Sequence, residues 1–133
     1  MKTIIIMGAL TLMAVLQLAV VSNAGTKEMP ADGKSVENVD VTIRYLLDFV
    51  TKSNCIFIRN GVPYTGREAA GHFRSKYEYF ASEIKTPEDF IQMSATKSMA
   101  TGKPYLIKTI NGTVIPCAEW LGKVLADYRK RSS

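Results

Sequence analysis

The chain has 133 residues, 47% of them hydrophobic, and 17 Lys and Arg against 12 Asp and Glu give a formal charge of +5. That length supports one domain around a single core and excludes a second domain or a large cofactor lobe. The modest positive excess suits anionic surfaces but lacks the clustering that nucleic acid demands, and one histidine with two distant cysteines makes no metal-ligand set.

Residues 1–24 read as an export signal. Lys2 precedes an almost unbroken apolar run over residues 4–21, and Ser22-Asn23-Ala24 supplies small residues at the −3 and −1 positions of a cleavage site. The run approaches the roughly 20 apolar residues that span a bilayer, so a retained anchor is the alternative. Residues 25–35, without periodicity, read as a disordered lead-in. One domain is expected over residues 36–131.

Helical periodicity opens that domain. Val39, Ile43, Leu46, Leu47 and Val50 form one apolar stripe, which Ser53-Asn54 ends. "CIFIRNGVPY" predicts a hairpin turning on Asn60-Gly61, because Asn-Gly accepts positive φ at both turn positions. Thr65 and Glu68 predict a capping box for a second helix with apolar positions Ala69, Ala70, Phe73, Tyr77, Phe80, Ala81 and Ile84. Thr86-Pro87 starts a third helix with inner positions Phe90, Ile91, Ser94, Ala95 and Ser98, stopped by Thr101-Gly102 and Pro104. "YLIKTINGTVIP" is a second hairpin, with Asn111-Gly112 at its turn. A last helix then carries Trp120, Leu121, Val124, Leu125 and Tyr128 on one face, with Arg129, Lys130 and Arg131 complementing its C-terminal dipole.

The predicted fold is therefore α+β, helix–hairpin–helix repeated twice. The match of "FIRNGVPYTGREAAGHF" to "KTINGTVIPCAEWLGKV" suggests an internal duplication with pseudo-twofold symmetry.

Candidate chemistry gathers on the second helix. Glu68, His72, Lys76, Tyr79 and Glu83 share one flank. His72 there is a candidate general base, with Glu68 one turn away to orient it. A solvated flank of i,i+4 ion pairs explains the same residues. Arg59, His72, Arg74, Lys76 and Tyr77 are the candidate binding residues, since arginine holds carboxylate or phosphate through paired donors.

Cys55 and Cys117 are expected to form a disulfide, which would contribute roughly 4 kcal/mol for a loop of about 60 residues. Two free thiols are the alternative. A nucleophilic cysteine would need His72 nearby and a low thiol pKa. Ser94 and Lys97 match the S-x-x-K pattern of penicillin-interacting enzymes without its companion motifs, so Ser94 reads as a small packing residue.

In "YLLDFV", "C-x-F-I-R-N-G", "E-A-A-x-H-x-R-x-K-Y", "TGKPY" and "C-x-x-W-L", the chain resembles the YfeK-like family of small exported bacterial proteins of unknown function, over nearly all of residues 42–129. The resemblance implies a Gram-negative, periplasmic location and carries no reaction, ligand or catalytic residue. The expectation is a non-catalytic binding module for an envelope protein or anionic envelope ligand, without cofactor or nucleic acid and with peripheral membrane contact open. The alternatives are a hydrolase using His72 with a cysteine or water, and a chaperone-like helper of envelope assembly exposing an apolar patch.

Overall fold

The computed structural model describes residues 36–133, so the signal segment and lead-in expected over residues 1–35 lie outside the described residues. The element order is α1 (Val39–Lys52), β1 (Ile56–Arg59), β2 (Val62–Tyr64), α2 (Gly66–Tyr79), α3 (Pro87–Ser94), β3 (Leu106–Lys108), β4 (Val114–Pro116) and α4 (Cys117–Arg131). This is the expected α+β arrangement, helix–hairpin–helix twice over.

Local chemistry sets most boundaries. Thr65 Oγ1 accepts from the Glu68 amide while the Glu68 carboxylate accepts from the Thr65 amide, closing the predicted box at the start of α2. Thr86 and Asp89 do the same for α3, with Pro87 at its first position. Asn60 (φ 51°) and Gly61 (φ 77°) make the first turn, both left-handed as a two-residue type I′ loop requires. The second hairpin turns differently. The Thr109 amide donates to the Thr113 carbonyl around three residues, and Gly112 (φ 83°) is the left-handed one.

The strand order is β2-β1-β3-β4, antiparallel throughout. Phe57 lies opposite both Tyr64 and Ile107, and Ile107 opposite Ile115. The hairpins thus join through their first strands, the order that a two-fold axis between Phe57 and Ile107 generates. Alternation sends Phe57 and Ile107 to one face, where the helices cover them. Ile43, Leu46 and Val50 of α1, Phe90 of α3 and Leu121 of α4 are fully buried against that face. Each such side chain contributes about 1.5–3 kcal/mol through burial.

The two halves differ in one connection. Residues 53–55 join α1 to β1, whereas residues 95–105 join α3 to β3. The apolar positions Phe80 to Ile84 and Ala95 to Ser98, expected to be helical, lie beyond the ends of α2 and α3. Thr96 explains the second stop: its Oγ1 donates to the Ile91 carbonyl (2.8 Å), and its own carbonyl accepts from Tyr105. Ser98 and Lys103 then pair across the loop, and Lys97 bridges to Pro104.

Arg129 adds more than a dipole complement. It donates to Glu37 (2.8 Å) and to Glu88, tying the segment before α1 and the start of α3 to the end of α4. The hydrogen bonds from Arg129 hold both carboxyls below their usual range, with burial opposing.

The expected disulfide is absent: Cys55 and Cys117 are both free thiols. Cys55 immediately precedes β1 and Cys117 opens α4; a charge on Cys55 still reaches Cys117, but the two sulfurs are not bonded.

Candidate functional site

Three of the five candidate binding residues come together. His72 and Lys76 are one turn apart on α2, on a flank facing the 95–105 loop. The register that pairs Ile58 with Leu106 sets Arg59 opposite Tyr105, whose carbonyl accepts from the first amide of α4 (2.8 Å). The Tyr105 hydroxyl lies 3.0 Å from His72 Nε2 and 3.4 Å from Lys76 Nζ. Lys76 also donates to the Lys97 carbonyl (2.9 Å) and sits 5.1 Å from the centre of the Tyr105 ring.

Arg74 and Tyr77 lie elsewhere. Arg74 is exposed and lies about 160° around α2 from Lys76. The Tyr77 hydroxyl donates to Asp40 (2.9 Å) and its ring packs edge-on against Phe90, which turns it toward α1 and α3. Glu68 does not orient His72, because its carboxylate is committed to the Thr65 cap.

Lys76, expected on a solvated flank, is only 8% exposed, and Tyr105 only 3%. The loop that covers Lys76 is latched to the first hairpin: Asn60 Nδ2 donates to Ser98 (3.3 Å) and Thr101 donates to Asn60 Oδ1 (2.6 Å). Among the described residues, no carboxylate forms a salt bridge with Arg59, His72 or Lys76. Arg59 Nε is buried and has no hydrogen-bond partner.

The charges oppose one another. Burial, then Arg59 and Lys76, push the His72 imidazolium below its ordinary pKa of 6.5, so His72 is neutral at neutral pH. Burial and Arg59 likewise lower Lys76. Burial raises Tyr105, with Arg59 working against it. Lysine can only donate, so Lys76 gives to the Tyr105 oxygen, while the direction between Tyr105 and His72 Nε2 follows the tautomer of the imidazole.

Tyr105 is the residue that the sequence reading missed. It stands at the end of the "TGKPY" segment, and its signal was strand parity: it shares the helix-facing side of Ile107.

Between the β1–β2 hairpin and α2 lies a cleft of about 330 Å³. Arg59, His72 and Tyr105 line it together with Phe57, Tyr64 and Phe73, and Glu68 lies at its edge. Cys55 instead lines a separate hollow beside the start of α2.

Neither Cys117 nor Ser94 is placed as a nucleophile. Cys117 is fully buried, and burial pushes its thiol up to about 12. Ser94 is buried on α3, while exposed Lys97 lies beyond that helix. In native, unreduced protein, iodoacetamide is expected to label Cys55 and spare Cys117 until unfolding. Mass spectrometry that finds neither thiol available before reduction would reinstate the disulfide.

Among the described residues no helix is long and apolar enough to cross a membrane, and no group of acids, cysteines and histidine is arranged to hold a metal ion. No solved structure matches the chain. Over 54 residues it is 41% identical to the "Uncharacterized protein YfeK" of Salmonella typhimurium, covering 41% of this chain and 45% of that protein. The match therefore spans less than half of that relative's length. The model of the family of unknown function DUF5329 covers residues 37–129, which include the whole sheet and the cleft, and the chain belongs to that family.

Proposed function

We propose that the protein is a non-catalytic binding module of the cell envelope, taking an anionic group of an envelope ligand or partner protein in the cleft at Arg59, His72 and Tyr105, with Lys76 bonded to the Tyr105 hydroxyl outside the lining. The periplasmic location belongs to this reading and rests on the leader read at residues 1–24. The observation that carries the rest is a set of buried and half-buried cationic groups with no carboxylate partner among the described residues. Gathering them costs folding free energy, and a bound anion would offset that cost. Among the described residues Arg59 Nε has no hydrogen-bond partner, which leaves Arg59 a donor for it, and His72 lines the same cleft.

The alternatives are less well supported. A hydrolase would need a nucleophile beside His72: neither cysteine lines its cleft, and to activate a water His72 lacks the orienting carboxylate, since Glu68 is held in the Thr65 cap. An assembly helper would need a continuous apolar patch. Ile56 and Val114 are exposed on the uncovered sheet face, but Lys108 stands between them.

The test is calorimetric titration with acetate and with inorganic phosphate, at about pH 8 and about pH 6. An anion favours the imidazolium, so binding raises the depressed pKa of His72 and takes up a proton. Affinity should therefore rise as pH falls across this range, and Arg59→Ala should remove most of it. Affinity indifferent to both pH and Arg59→Ala would sink the reading.

A further inference from the structure

The cleft is two-ended. Arg59, His72 and Tyr105 line one end, with Lys76 bonded to the Tyr105 hydroxyl outside the lining, where the Asn60-Gly61 turn meets the 95–105 loop. Two residues back along β1, roughly 7 Å away, the lining is Phe57 with Tyr64 opposite it, faced by Ala69 and Phe73 of α2. The aromatic rings form a continuous wall: Phe57 to Phe73 and Phe73 to Tyr105 have centroids 6.2 and 5.8 Å apart, and Trp120, outside the lining, packs on Phe57 at 5.7 Å. Glu68 stands one turn before His72, at the apolar end, as the one carboxylate of the lining.

We infer that the ligand is an amphiphilic monoanion, a carboxylate on a short alkyl or aryl stem, bound with its charge at Arg59 and its stem along Phe57, Tyr64 and Phe73. This rests on the anion-binding reading above and adds the rest of the ligand to it. The stem follows from the wall, which offers an apolar group more than water can. The single charge follows from Glu68. Its carboxylate is fixed by the Thr65 cap and repels a second negative charge at the far end. The size follows from the volume: about 330 Å³ lies at the small end of ligand cavities, enough for a short organic acid or one end of a longer one.

The experiment is a calorimetric series on the folded protein with acetate, butyrate, hexanoate, neutral hexanamide and the dicarboxylate adipate. Affinity should rise about fourfold per added methylene from acetate to hexanoate. Hexanamide and adipate should each bind at least about tenfold more weakly than hexanoate, for loss of the charge and for repulsion by Glu68. Acetate binding as tightly as hexanoate overturns the amphiphile and leaves the anion site standing. Hexanamide matching hexanoate overturns the anion site, and this inference with it. Adipate matching hexanoate overturns the single charge, and silence from the whole series overturns both readings.

Discussion

Gly66→Ala is expected to cost the fold about 3 kcal/mol, close to the upper end for overpacking. A Cβ at this position would lie 2.2 Å from the Val50 carbonyl oxygen, 3.1 Å from that of Ser53 and 3.3 Å from that of Thr51. All three are backbone atoms at the end of α1, so no side-chain rotation relieves the overlap. The start of α2 would have to withdraw from α1, loosening Ala69 and Ala70 beneath it. In a domain of about 100 residues that loss lowers the melting temperature by roughly 15 °C, and it should shift a urea midpoint without altering the slope. Gly122→Ala is the internal control with opposite sign. Its Cβ meets nothing within 4 Å, so replacing a mid-helix glycine of α4 should gain about 0.5–1 kcal/mol. A Gly66→Ala protein as stable as its parent would mean that the α1–α2 approach is looser than described.

What was legible in the sequence was local. The capping boxes, Pro87 and the Asn60-Gly61 turn each act within a few residues, and the helix stripes follow from one face meeting one core. The element order and α+β class followed from them. Gly66 was not legible as a contact point, because its neighbours come from the C-terminal end of α1, on the far side of the first hairpin in sequence. Nor was the pairing of the two hairpins. That β1 lies beside β3 is a long-range choice, yet it sets Arg59 opposite Tyr105. A helical wheel could put His72 and Lys76 on one flank, but it could not show what would cover that flank. The cover is the 95–105 loop, where the second half departs from the first, held through its Ser98 and Thr101 by Asn60 of the distant first hairpin. The candidate site thus sits where the internal repeat breaks, the place least predictable from either copy.

Lys76→Met separates stability from binding. Lys76 is 8% exposed with no carboxylate partner among the described residues, and burial and Arg59 hold its pKa below the ordinary 10.5. Between 10.5 and that lower value the unfolded chain binds a proton that the folded chain does not. The Lys76 contribution therefore turns against folding as pH falls through this window, and below it the cost stands at full size. Methionine fills a similar volume without the charge, and such a replacement of a buried ion is commonly neutral or stabilising. The hydrogen bonds to Tyr105 and to the Lys97 carbonyl are lost, but Lys97 lies on an exposed loop where water can take its place. Lys76→Met should therefore keep the parent's stability at neutral pH or gain up to about 1 kcal/mol, and its stability should lose the dependence on alkaline pH that Lys76 imposes. Lys76 does not line the cleft, so it acts on the anion through Tyr105 and through its charge, and hexanoate affinity should fall by about threefold or more. Urea denaturation across pH, run beside the calorimetric titration, reads both. A protein less stable by more than about 2 kcal/mol that still bound hexanoate fully would make Lys76 a structural tie between α2 and the loop. A stable protein that no longer binds would mean that the cationic cluster, held together against its own repulsion, is there for the anion.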